Sequence, residues 1–281
     1  MTNNNTELYL PSDRTLPFFV YGTFKPGQIA YSRIEQFVEK PTIRMSIPYL
    51  LYLRDGTPFI SHETTERPYT RGYLLEFKSD KDAIDAYNII GEVVSNRLYK
   101  WGETNVSGKN VNVLFGRKPS RSRPKELGGS FDGSIDPYFN EAIKLIYSEI
   151  RDKKSILDVE DYFKIQRNYI LLWAAIERYT SLRYGFGNIT DNNKKLANEK
   201  IFQDSLRCVI GKKTRKIYRT DNLNPHKLNA DDPEDSIKYY YTIRCNIVHR
   251  GKRIDEKDEM LLDSLIELIC IFQDVLDDTF K

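Results

Sequence analysis

The chain has 281 residues, 40% hydrophobic and 30% charged, with 43 Lys and Arg against 40 Asp and Glu and a formal net charge of +3. That length suits two domains each able to bury a core, and that composition excludes a disordered or fibrous chain. The near-balanced charge confines any nucleic-acid role to local patches.

The polar start, residues 1–6, has no apolar h-region, so no signal peptide is expected. The longest apolar run, residues 169–176, is too short to span a bilayer. Cys208, Cys245 and Cys270 form neither a disulfide framework nor a zinc spacing. Reduced thiols, a cytoplasmic location and no membrane partner are the expectations.

A polar lead, residues 1–14, gives way to the apolar run 16–21, which reads as a buried strand broken at Gly22-Thr23. Residues 29–38 have helical spacing, with Ile34, Phe37 and Val38 on one side. Short alternating pieces follow at 42–45, 49–53, 57–60 and 71–77, separated by turns at Arg54-Asp55-Gly56 and Glu66-Arg67-Pro68. Helical spacing returns over 81–90, and 97–106 with 110–115 read as a hairpin around Ser107-Gly108-Lys109. The first half is therefore expected to be a compact α+β domain.

A Gly-containing turn after a buried strand lets an anion approach free backbone N–H donors. A carboxylate at the rim of an apolar pocket can act as a base. The run Val20-Tyr21-Gly22-Thr23-Phe24-Lys25-Pro26-Gly27 resembles the opening motif of the γ-glutamylcyclotransferase-like family. The Asp55-Gly56-Thr57-Pro58 turn, Arg71-Gly72-Tyr73-Leu74-Leu75-Glu76-Phe77 and a helix leading to Glu92 follow in similar order, so the resemblance covers about residues 16–117. It implies a small, mixed, β-barrel-like domain in which backbone groups of Tyr21, Gly22, Thr23 and Phe24 hold a substrate carboxylate. Glu92 would then take a proton from the α-amine of a γ-glutamyl small molecule, which cyclises to 5-oxoproline with no cofactor. Phe24 stands where the family usually has leucine, and Asn88-Ile89-Ile90-Gly91-Glu92 lacks the family's common Asp and its glycine after the glutamate. Glu92 thus reads either as a base or as an exposed acid at a helix end.

Two further patterns are set aside. His62-Glu63 has no second histidine on a helix face, and only His62, His226 and His249 occur in the chain, so no metal site is expected. Gly185-Phe186-Gly187 lacks the strand and third glycine of a dinucleotide site and reads as a helix stop.

Residues 117–125 carry prolines, serines and positive charge, marking a linker that either is simply solvated or tracks a phosphate backbone. Beyond Pro137 the pattern is helical. Residues 138–150 place Phe139, Ile143, Ile146 and Ile150 on one stripe. A long central helix, 159–184, is marked by Phe163, Ile170, Trp173, Ala174, Ile176 and Leu182. An amphipathic helix is expected over 193–210, then a basic segment, 212–219, and a polar loop to Asp232. Pro233 after Asp231 and Asp232 opens the next helix, and residues 260–276 close the domain.

The segment Tyr239-Tyr240-Tyr241-Thr242-Ile243-Arg244-Cys245-Asn246-Ile247-Val248-His249-Arg250-Gly251 places an arginine and a histidine near a helix end, a little over one turn apart. Arginine is a permanent phosphate fork and histidine moves protons near neutral pH. The alternative is a helix terminus whose cations complement the macrodipole, with Gly251 as cap. With Asn246 inside it and helical pattern on both sides, the motif resembles the Arg-x4–6-His motif of the HEPN family, small all-α domains that often act as metal-independent ribonucleases.

The resemblance implies catalytic roles for Arg244 and His249 and a two-fold homodimer. Asn246 would orient the phosphate or cap the helix. Glu177 would orient Arg244 or stand as a surface acid. Lys212, Lys213, Arg215 and Arg250 are candidate RNA contacts.

The chain is thus expected to be α+β overall: residues 15–117 cyclotransferase-like, 118–136 linker, 137–281 an all-α HEPN bundle. It reads as an RNA-cleaving toxin or defence effector whose first domain senses or regulates. The alternatives are a γ-glutamyl cyclotransferase dimerised by its helical domain, or a binding module with neither activity.

Overall fold

The computed structural model describes residues 8–67, 69–117, 124–151, 153, 158–218, 225–250 and 258–281, with Arg250 and Asp258 as backbone only. Contacts divide the chain into two compact units, Met1–Ser134 with Leu182–Phe186, and Ile135–Ser181 with Gly187–Lys281. Among the described residues no helix is long and apolar enough to cross a membrane.

The first unit is mixed α+β. Its strands are β1 (Phe18–Val20), β2 (Ile43–Ile47), β3 (Tyr49–Arg54), β4 (Thr57–Thr64), β5 (Thr70–Leu75), β6 (Tyr99–Val106), β7 (Lys109–Gly116) and β8 (Lys125–Glu126). They form one curled mixed sheet in the order β2-β5-β1-β7-β4-β3-β8, with β6 also on β7. Strand β7 is where the sheet branches. β1 and β4 each meet it in parallel, at Phe18↔Asn112 and Ile60↔Phe115, while β6 pairs antiparallel along its length. β1 is buried at every residue, which is why it reads as a continuous apolar run rather than an alternation. Inside the curl pack Phe19, Ile47, Leu51, Ile60, Val113 and Phe115.

Two tight turns carry the register. Asp55 and Gly56 have φ of 50° and 73°, and Ser107 and Gly108 have 51° and 85°, so both two-residue loops need the left-handed region that suits a hairpin's twist. Helix α1 (Asp80–Val93) starts where Ser79 accepts the Asp82 N–H, and it buries Ala83, Ala86, Tyr87 and Ile90. Residues 29–38 do not form the expected helix. They make two short 3-10 turns, Tyr31–Arg33 and Glu35–Phe37, before Val38 bridges to Phe77. So short a helix is marginal alone. Burial of Ile29, Ile34 and Val38 is reached without it.

The second unit is built from α2 (Glu141–Ile150), α3 (Val159–Tyr184, whose last turn counts with the first unit), α4 (Ile189–Ala197), α5 (Lys200–Ile210), α6 (Pro233–Arg250) and α7 (Asp258–Thr279). It is not all-α: β9 (Arg215–Ile217), in the basic segment, and β10 (His226–Leu228), in the expected polar loop, pair antiparallel. The helix expected over 193–210 is two helices, because Glu199 is extended between α4 and α5.

Phe139, Ile143, Ile146 and Ile150 are all buried, as their spacing requires. On α3 the apolar residues that mark the helix divide between two sides. Ile165, Tyr169, Leu172, Trp173, Ile176 and Tyr179 form the buried side, whereas Phe163, 61% exposed, and Ile170 face outward. A helix apolar on several sides does not declare which side meets the core. Helix α3 stops at Gly185, whose φ of 100° no side chain tolerates well. The expected turn at Pro68, the lead at 1–7 and the linker at 118–123 lie outside the described residues.

Candidate functional site

Helix α6 begins with Pro233 in its first turn and Asp232 before it, whose Oδ1 accepts the Asp235 N–H at 3.0 Å. Its middle is anchored in the core. Tyr239 and Tyr240 are fully buried, Tyr169 donates its hydroxyl to the Tyr240 carbonyl at 2.9 Å, and Tyr240 donates to Glu267 at 3.3 Å. Burial pushes the Tyr240 and Tyr169 hydroxyls well above the ordinary tyrosine range. The helix is therefore fixed where it passes α3, and one turn later it carries Arg244.

Arg244 Nη2 lies 3.4 Å from Glu177 Oε1 on α3, and its guanidinium stands over the Tyr241 ring at 5.7 Å. Tyr241 in turn packs edge-on to Trp173 at 5.3 Å. Burial, with the Cys245 thiol beside it, raises the Tyr241 hydroxyl. Glu177 Oε1 is buried yet accepts no hydrogen bond, and among the described residues the Arg244 guanidinium donates none. The pair is held by charge and stacking, leaving the fork's N–H donors for a ligand.

His249 is exposed near the end of the same helix, beside exposed Val248. The helix runs unbroken through both, so five residues turn His249 about 140° from Arg244 and carry it about 7.5 Å along the axis.

Asn246 neither caps the helix nor faces open solvent. It is 4% exposed, and its Nδ2 donates to the Tyr218 carbonyl at 3.2 Å, pinning the chain just after β9. The basic residues divide. Arg215 pairs with Glu267 and, at 3.3 Å, with Asp263, and lies over the Tyr239 ring at 5.9 Å. Lys213 Nζ is 3.4 Å from Glu267, whose side chain is 6% exposed. Arg215 therefore neutralises a buried carboxylate, a role that outranks surface charge because an unpaired Glu267 would be costly. Lys212 remains on the surface. The side chain of Arg250, together with Gly251 and Arg219, lies outside the described residues.

No family model matches the chain, and no curated protein matches it. Among solved structures, an uncharacterized protein from Pyrococcus horikoshii is similar at 17% identity over 47% of this chain and 96% of that one, with a TM-score of 0.31. A likeness at that level carries no argument about fold or activity.

In the first unit the loop after β1 is preordered: the Lys25 N–H reaches the Gly22 carbonyl at 3.1 Å and the Ala30 N–H the Thr23 carbonyl at 2.9 Å. Tyr21 is buried and donates to the Leu114 carbonyl, and Phe24 is buried against Phe18. Among the described residues the N–H groups of Gly22, Thr23 and Phe24 make no hydrogen bond. Lys25 donates to the Phe131 carbonyl at 2.5 Å, and burial holds its ammonium below the usual lysine range.

Glu92, 44% exposed at the end of α1, is ion-paired with Arg33 at 2.9 Å. Arg33 also donates to the Arg183 carbonyl at 3.3 Å, and Arg183 donates to the Ile29 carbonyl and the Ser32 hydroxyl. An open depression of about 510 Å³ is lined by Ser32, Glu35, Gln36, Val38, Lys40 and Lys78, off both motifs. Its lysines are engaged by Glu35 and by the Gln36 carbonyl.

Sequence reasoning missed Tyr241, Arg33 and Tyr218. Tyr241 had a signal, since it sits three residues before Arg244 and so one helical turn beneath it. Arg33 and Tyr218 have partners far away in sequence and had none.

Proposed function

We propose that this protein is a metal-independent endoribonuclease whose second unit carries the reaction. The observation that supports this most is Arg244: half-buried, braced by Glu177 and Tyr241, with its hydrogen-bond donors uncommitted among the described residues. A guanidinium held that way suits a phosphate whose charge grows during reaction.

In the proposed chemistry the RNA 2′-OH attacks the adjacent phosphorus, the P–O5′ bond breaks, and a 2′,3′-cyclic phosphate forms. One proton leaves the 2′-oxygen and one reaches the departing 5′-oxygen, and His249 serves one of these transfers. Arg244 binds the phosphate oxygens, Glu177 orients Arg244, and Lys212 adds salt-sensitive affinity.

The separation of Arg244 and His249 around one helix favours a site completed by a second copy. The proposal therefore includes a two-fold dimer of the helical unit, for which exposed Val159, Phe163 and Ile170 offer apolar surface. A role as a toxin or defence effector belongs to the same reading, with the first unit sensing or regulating.

Cleavage of RNA by purified protein in chelator tests it. His249→Ala is expected to lower the rate by about 10²–10⁴-fold, with the melting temperature unchanged. Equal rates for variant and wild type would sink the reading.

A second reading, a γ-glutamyl cyclotransferase, is favoured by one observation, the unengaged N–H groups at Gly22, Thr23 and Phe24. Against it, Glu92 is spent on Arg33. Release of 5-oxoproline from γ-glutamyl compounds, absent in Glu92→Gln, would support it.

A further inference from the structure

We infer that Tyr218 is a base-stacking residue of the RNA site, held in place by Asn246; this rests on the ribonuclease reading. Asn246 lies between Arg244 and His249 on α6, and its buried amide is spent on the Tyr218 backbone carbonyl at 3.2 Å. That bond fixes the chain at the residue where it leaves β9.

Strand alternation then sets the side chain's direction. Ile217 turns into the core, so Tyr218, the next residue, turns out. The ring is 53% exposed on a backbone that is clamped from behind. The neighbouring tyrosines of α6 differ: Tyr239 and Tyr240 are buried and their hydroxyls bonded to Ser264 and Glu267, which makes them core.

An exposed aromatic ring on an anchored backbone suits an unpaired base, which offers a π-face whatever its identity. Exposed Lys216 and Lys212 supply positive charge along the same segment. Single-stranded RNA is therefore the ligand class, with one base stacked on Tyr218 on the side of α6 shared with His249, which stands about 60° around the helix from Asn246. Stacking that base also swings the ribose away from helical geometry, which the in-line attack of a 2′-OH requires. Asn246 acts as a positioning residue, through Tyr218.

The test uses full-length protein and a short single-stranded RNA carrying 2-aminopurine, in two arms. In the binding arm, on a His249→Ala background that preserves the RNA, 2-aminopurine fluorescence should be quenched on binding. Tyr218→Ala should abolish the quench and weaken binding by about 5- to 100-fold, while Tyr218→Phe keeps both. In the cleavage arm, Tyr218→Ala should raise KM more than it lowers kcat, and Asn246→Ala should give a partial version of the same change.

Tyr218→Ala binding and quenching like Tyr218 itself, or Tyr218→Phe failing as badly as Tyr218→Ala, would overturn the inference alone. A wild-type protein that neither binds nor cuts RNA would remove the inference together with the ribonuclease reading.

Discussion

The two units each present an Arg–Glu pair at the place where chemistry was sought, and the pairs are built oppositely. In the second unit the proposed actor is the arginine. Glu177 braces Arg244 at 3.4 Å without a hydrogen bond, and a tyrosine ring supports its face. In the first unit the candidate actor is the glutamate, and Arg33 binds it at 2.9 Å while also gripping the Arg183 carbonyl. A pair that orients a phosphate-binding fork leaves most of its donors usable, because arginine has five. A pair that takes up a would-be base occupies the oxygen meant to receive a proton. The same two residue types thus suit the proposed activity in one unit and oppose the alternative one in the other.

That contrast can be broken by mutation. Glu177→Gln keeps the shape but removes the charge that orients Arg244, and a partly exposed ion pair without a hydrogen bond is worth up to about 1 kcal/mol. RNA cleavage by this variant should fall about two- to fivefold, mostly in kcat, as measured under single-turnover conditions. An unchanged rate would make Glu177 an ordinary helix-surface acid.

The units can also be compared through their buried tyrosines. Burial raises Tyr87 and Tyr99 in the first unit, and Tyr169 and Tyr240 in the second. Unfolded, these groups ionise near the ordinary value of 10.0, whereas folded they hold their protons to higher pH. The folded state therefore binds more protons above pH 10, so this contribution is fully present below that pH and is lost as pH rises through it. Each such tyrosine removes up to about 1.4 kcal/mol per pH unit. Melting temperatures measured from pH 8 to 11 should hold steady and then drop above 10. A flat profile to pH 11 would contradict the burial of these hydroxyls.

The smallest effect belongs to Glu92. Its pair with Arg33 is partly exposed, 18% at Arg33 and 44% at Glu92, so Glu92→Gln should cost about 1 kcal/mol of stability or less in chemical denaturation. It should also leave RNA cleavage untouched. A large loss of stability would show that the Arg33–Glu92 pair anchors the Leu182–Phe186 segment more firmly than its exposure allows.

How much of this was legible follows the range of each interaction. The Asp55-Gly56 and Ser107-Gly108 turns declared themselves because two adjacent residues suffice to set them. The start of α6 did so through Asp232 and Pro233, and the stripe from Phe139 to Ile150 through helical spacing.

What stayed hidden depends on distant partners. Arg215 looks like a surface cation until Glu267, far along the chain on α7, comes to meet it. Asn246 looks like part of a phosphate site until Tyr218 arrives beside it. The β9–β10 pair is too short and polar for a strand pattern, and Phe163 and Ile170 belong to a helix whose apolar sides outnumber its buried one. Periodicity fixes that a helix exists, while its neighbours decide which way it faces.

The most direct test of the central claim is cleavage of one RNA in two forms, identical except for a single 2′-deoxynucleotide at the cut site, both in chelator. The account predicts that the all-ribose form is cut to leave a 2′,3′-cyclic phosphate and that the 2′-deoxy form is not cut at that position. Cleavage of the 2′-deoxy form there, or fragments ending in 3′-hydroxyl groups, would contradict it.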